Sequence, residues 1–69
     1  LNPDFIDAYN NLGIVLSLNG EYEEALEIYE KGIVRDNRNF SLFFNMGTAR
    51  FETGKYIEAA SAYRNALDI

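Results

Sequence analysis

The chain of 69 residues contains no cysteine and no histidine. Without them there is no disulfide staple, no thiolate nucleophile, no imidazole base and no familiar zinc site. There is also no run of lysine or arginine: six basic residues stand against eleven acidic ones, for a net charge of −5. That balance is poorly suited to nucleic acid or to an anionic membrane surface. Apolar stretches of membrane-span or signal-peptide length are missing as well, so a soluble, cytoplasmic piece is the expectation. Metal and cofactor sites are not expected.

What is present is apolar and aromatic. Nearly half the residues are hydrophobic, and five Phe with five Tyr supply the bulk of a core. A chain this short buries only about 60% of the surface its unfolded form exposes, so its stability depends on side-chain packing alone.

Residues 10–25, NNLGIVLSLNGEYEEA, return as residues 44–59, FNMGTARFETGKYIEA. Overlaying 1–35 on 35–69 gives seven identities: Asn11/Asn45, Gly13/Gly47, Gly20/Gly54, Tyr22/Tyr56, Glu24/Glu58, Ala25/Ala59 and Tyr29/Tyr63. About two are expected by chance. Conservative pairs extend the match, among them Tyr9/Phe43, Leu12/Met46 and Gly32/Ala66. Within each copy the large residues recur at helical spacing, as in Phe5, Tyr9, Leu12 and Leu16, or Tyr22, Leu26, Tyr29 and Ile33. Asn19-Gly20 and Thr53-Gly54 fall between these runs, where glycine can end a helix in the left-handed conformation. The pattern predicts helices over 5–18, 22–35, 39–52 and 56–68.

Glu21, Glu23 and Glu24 at the start of the second helix, with Lys31 and Arg35 near its end, match the helix dipole. Glu27 precedes Lys31 by four residues, the order that favours a surface pair. Gly13 and Ala25, and again Gly47 and Ala59, open gaps for bulky side chains of a partner helix.

The set Tyr9, Leu12, Gly13, Gly20, Tyr22, Ala25, Tyr29 and Gly32 resembles the tetratricopeptide repeat, a 34-residue helix-turn-helix unit. Phe43, Met46, Gly47, Gly54, Tyr56, Ala59, Tyr63 and Ala66 resemble it a second time. The resemblance implies an all-α fold: two hairpins, four antiparallel helices, stacked as part of a right-handed superhelical α-solenoid. On this reading 1–69 is one domain, with repeats at 6–39 and 40–69 and with residues 1–5 as the tail of a preceding repeat. Leu1-Asn2-Pro3 looks like the close of that repeat, and the piece looks cut from a longer array. Two departures stand out: Asn37 replaces a common proline, and Arg50 stands where the first copy has Leu16. A snorkelling stem with a solvated head is the expected state of Arg50. With few neighbours, the last helix is expected to expose its apolar side around Ala62, Ala66 and Ile69.

The resemblance implies a non-catalytic scaffold whose concave groove, lined by the first helix of each repeat, receives a peptide or a partner helix. Groove positions are then Asp7, Asn10, Asn11, Ile14, Ser17 and Leu18, followed by Ser41, Phe44, Asn45, Thr48, Phe51 and Glu52. Asn11 and Asn45 carry amides that can bond a peptide backbone whatever its sequence; alternatively they bond a neighbouring helix. Phe44 and Phe51 form an apolar strip that either meets ligand or is covered by an adjacent repeat. The partner is a protein or peptide, neutral or basic, with apolar anchors. A terminal carboxylate is a poor candidate, because Asn10 and Ile14 stand where a basic clamp requires other residues. Two further readings stay open. One is self-association into a homo-oligomer through the strip or the open end. The other is a substrate-recruiting array of a larger enzyme, since Pro3-Asp4-Phe5-Ile6-Asp7-Ala8-Tyr9 is similar to repeats of O-linked N-acetylglucosamine transferases. Glu23 with Glu27 reads as solvated surface rather than a catalytic pair, and Asn39-Phe40-Ser41 as a helix start rather than a glycosylation acceptor.

Overall fold

The computed structural model describes residues 5–69. Four helices follow in order: α1 (Ile6–Leu18), α2 (Tyr22–Arg35), α3 (Phe40–Glu52) and α4 (Tyr56–Leu67). Phe5 and Asn39 are caps rather than first turns, which accounts for the one-residue difference at those ends. The expected closing residues Leu1-Asn2-Pro3 lie outside the described residues.

Each hairpin turn is made the same way. Gly20 and Gly54 both adopt φ +80°, the left-handed region that side chains disfavour. After α1, the N–H of Glu21 donates to Leu16 C=O at 2.8 Å and that of Gly20 to Ser17 C=O at 3.0 Å. After α3, Lys55 to Arg50 at 2.8 Å and Gly54 to Phe51 at 3.0 Å repeat the pattern. This six-to-one plus five-to-two pair satisfies carbonyls that the end of a helix would otherwise orphan. The link between hairpins is different. There the Asn39 side chain accepts the Leu42 N–H at 3.0 Å and donates to Asp36 Oδ2 at 3.3 Å, while Asp36 Oδ1 accepts the Arg38 N–H. Asn39 is thereby the N-cap of α3, as the helix-start reading of its tripeptide expects.

Within the hairpins, aromatic rings rest on glycines. A Cβ at Gly47 would lie 2.7 Å from the Tyr63 ring, and one at Gly13 would collide with the Tyr29 ring. Gly32 joins the two hairpins instead: a Cβ there would lie 3.0 Å from a Leu42 methyl and 3.1 Å from Tyr9 Cβ. Tyr9, Leu26, Tyr29, Leu42, Met46, Ala25, Ala49 and Ala62 form one buried cluster across both repeats. The backbone of α1 approaches α3, and α2 approaches α3, but α4 approaches α3 alone. First helices close together and second helices apart curve the layer, with α1 and α3 on its inner side. The result is a slab of 30 × 29 × 13 Å.

Several expectations change. Ala62 and Ala66 are buried, each 1% exposed, because a methyl group does not reach past the side chains around it; Ile69 remains partly exposed. Phe40 is about half exposed. Tyr56, the counterpart of half-buried Tyr22, is 62% exposed. Arg50 does not end free in solvent: its Nη1 donates to the Glu58 carbonyl at 3.3 Å, tying α3 to α4. Glu27 and Lys31 form no ion pair; among the described residues the only one is Lys55–Glu23 at 3.1 Å, an exposed bridge between hairpins that contributes about 1 kcal/mol at most.

The two kinds of glycine give separable outcomes. Gly20→Ala meets open space, so it should cost about 1–2 kcal/mol of backbone strain in chemical denaturation with native circular dichroism retained. Gly47→Leu forces a branched side chain into the Tyr63 ring and should unfold the second hairpin. Unchanged helicity in that variant would show that the ring contact is dispensable.

Candidate peptide-binding face

The inner side of the slab is built from the exposed edges of α1 and α3. Both helices are short and polar enough at every third or fourth step to leave one face in water. Of the residues expected on that face, Asn11, Leu18, Ser41, Phe44, Thr48 and Phe51 are exposed, while Asn10, Ile14 and Asn45 are half-buried. Leu18 is the most open of these, at 84%.

The asparagines pair differently from the simple repeat alignment. Asn45 Nδ2 donates to Asn10 Oδ1 at 2.7 Å, joining α1 to α3, so Asn45 meets residue 10 rather than its counterpart Asn11. Stacked repeats meet through opposite sides of equivalent helices, so the residue of α1 that faces α3 is a neighbour of the counterpart of Asn45 and not the counterpart itself, which an overlay of the sequence on itself does not reveal. This bond leaves Asn10 Nδ2 and Asn45 Oδ1 without a partner among the described residues, a donor beside an acceptor. Asn11 sits apart in a shallow cleft with Phe5, Ile6, Asp7 and Ala8.

Ser17 is not on this face. Its Oγ is buried and makes no hydrogen bond of full geometry. It lies close enough to the Tyr29 hydroxyl to influence it: burial pushes the Tyr29 pKa above its usual value of 10.0, and the Ser17 hydroxyl offsets part of that rise. Thr48 has a clearer role. Its Oγ1 lies 3.0 Å from the Tyr63 hydroxyl and donates to Phe44 C=O at 3.2 Å.

Phe44 and Phe51 look toward α4 rather than across to α1. The Phe44 ring stands 5.4 Å from Tyr63 and stacks on Phe40 at 5.7 Å, and Phe51 meets Tyr56 edge-on at 5.2 Å. Sequence spacing put both on one helix face but could not say which neighbour that face meets. Tyr56 and Tyr63, read from the repeat pattern as structural, therefore border the exposed strip. No group of three acidic side chains that could hold a metal ion exists among the described residues, and no helix there is long and apolar enough to cross a membrane.

Two tetratricopeptide repeat family models match this chain, one over residues 6–39 and the other over 40–69. The chain belongs to the tetratricopeptide repeat family. It is 33% identical over its full length to protein bimA of Emericella nidulans, and 35% identical over 99% of its length to N-alpha-acetyltransferase 16, a NatA auxiliary subunit of Mus musculus. It spans only 9% and 8% of those two proteins. Repeats of this kind are protein-interaction scaffolds.

The Tyr29 environment sets a pH dependence. A phenol whose folded pKa is raised gives stability that is complete below its unfolded value near 10 and is lost as pH climbs through the folded value. Denaturation midpoints should fall with pH above 10, and Tyr29→Phe should remove that part of the fall. Ser17→Ala, which deletes a buried hydroxyl without a full hydrogen bond, should be neutral or stabilising by about 1 kcal/mol.

Proposed function

We propose that this pair of repeats is a non-catalytic binding segment that holds a peptide or a partner helix on the face of α1 and α3. One observation carries the reading: the Asn10–Asn45 pair, which spans both repeats and leaves a donor beside an acceptor, neither bonded among the described residues. An extended peptide presents the complementary acceptor and donor at every residue, so the pair can bond its backbone independently of side chains. Apolar contacts from Ile14 and Leu18, with Phe44 and Phe51 along the α4 side of α3, then select the ligand.

Charge narrows the partner further. The inner-face positions include Asp7 and Glu52 but no lysine or arginine, and the chain as a whole carries −5. Neutral or basic peptides are favoured, chiefly through encounter rate. The similarity to an acetyltransferase auxiliary subunit supports a holding role in a larger assembly rather than a chemical one.

A peptide-library screen of the folded chain tests this. Asn45→Ala should weaken a selected peptide by about 0.5–1.5 kcal/mol in calorimetry, the worth of one hydrogen bond, with helicity unchanged. Failure of the library to yield any saturable ligand would overturn the proposal.

A further inference from the structure

The two hairpin turns differ in one side chain. Asn19 precedes Gly20 in the first copy, where Thr53 precedes Gly54 in the second. Thr53 is tied down: its Oγ1 lies 3.2 Å from the Ala49 carbonyl and 3.0 Å from that of Arg50, closing the last turn of α3. The Asn19 amide has no such bond among the described residues, and Asn19 is exposed. That exposure does not depend on neighbouring repeats. Gly20 has a repeat after it and Gly54 a repeat before it, and both glycines are exposed.

Asparagine followed by glycine is a reactive pair. The backbone nitrogen of the following residue can close a five-membered ring on the side-chain amide carbon, and glycine, lacking a Cβ, leaves that approach unobstructed. Asn19 is the one asparagine of the chain followed by glycine. Space around the attacking nitrogen is open, since a Cβ at Gly20 would meet nothing within 4 Å.

We infer that Asn19 is a site of spontaneous deamidation, and that the α1–α2 turn controls its rate. The reaction needs water alone. The Gly20 nitrogen bonds to Asn19 Cγ, the Cγ–Nδ2 bond breaks, and ammonia leaves with the Gly20 amide proton. Water then opens the cyclic imide at one of its two carbonyls. Cleavage at Cγ leaves aspartate, whereas cleavage at the main-chain carbonyl leaves isoaspartate, whose backbone runs through Cβ and Cγ. Water enters and ammonia leaves, with no change of oxidation state.

The folded turn holds the reacting atoms apart. Ring closure requires the Gly20 nitrogen to eclipse Cβ about the Cα–C bond of Asn19, whereas ψ 2° puts it over the nitrogen of Asn19 itself, about a third of a turn away. The same nitrogen has its proton committed to Ser17 C=O at 3.0 Å, and the Glu21 N–H bonded to Leu16 C=O at 2.8 Å fixes the peptide beyond it. The turn must open before Asn19 reacts. Such an opening is local and costs less than unfolding the chain. Neither product restores the original turn. Isoaspartate adds one backbone atom between Asn19 Cα and the Gly20 nitrogen, so the Gly20 and Glu21 N–H groups cannot both keep their carbonyls. Aspartate puts a negative charge at the C-terminal end of α1, where the dipole is already negative and the last turn holds no basic residue.

The test incubates the chain at mildly alkaline pH, folded and in urea, and follows each asparagine by peptide mapping with a fragmentation that separates aspartate from isoaspartate. A gain of one dalton should collect at Asn19 ahead of every other asparagine, as a mixture of both products, and about tenfold or more slowly in the folded chain than in urea. Asn19→Thr copies the second turn, so it should keep native circular dichroism and show no gain at that position. The isolated isoaspartate form should denature at a lower urea concentration than the starting chain. Absence of a gain at Asn19 in urea overturns the site. Equal rates folded and in urea overturn its control by the turn.

Discussion

A tyrosine ring pressed onto a helix backbone is the contact on which the rest of this molecule depends. In both hairpins the second helix lays a ring over a glycine of the first, Tyr29 on Gly13 and Tyr63 on Gly47, at a separation that no Cβ could share. A mid-helix glycine costs about 1 kcal/mol relative to alanine. The close approach offsets that cost by burying an aromatic ring against a neighbouring helix. It also sets how far apart the two helices stand, and so where Tyr63 is placed relative to Phe44 and Thr48. Fold and binding surface thus share a single constraint.

The two hairpins build on that contact differently. Around Tyr29 the ring becomes core, covered by α3 with Leu42 seated over Gly32. At Tyr63 the same ring stays partly open and is joined by Phe44, Phe40 and a hydroxyl. A repeat architecture permits this divergence because each unit is held mainly by its neighbours. Positions that face the next unit can change while the internal ring-on-glycine contact is kept. Phe44 in place of Asn10 and Phe51 in place of Ser17 are changes of that kind.

Much of the architecture was legible beforehand. Helix positions follow from the 34-residue return and from the spacing of large residues, and both turns follow from Gly20 and Gly54, whose φ of +80° leaves little choice of residue. The site was legible only in part. Phe44 and Phe51 could be placed on one face of a helix, yet their ring partners Tyr63 and Tyr56 lie on another helix. Arg50 reads from its charge as a solvated side chain, but a nearby carbonyl of α4 gives it a specific bond. Ala62 and Ala66 read as an exposed edge and are buried.

The sequence by itself therefore determined the elements: four helices, two left-handed glycine turns, and the positions where rings and gaps recur. Those features depend on local sterics and on periodicity, which a single strand of text contains. Only the tertiary structure decided which polar groups are spent and which are free. Asn45 bonding to Asn10 and not to Asn11, the burial of the Ser17 hydroxyl, and Thr48 meeting Tyr63 all depend on which sides of the packed helices meet. Those quantities are set by side chains interlocking across interfaces, at distances that no spacing along one helix records.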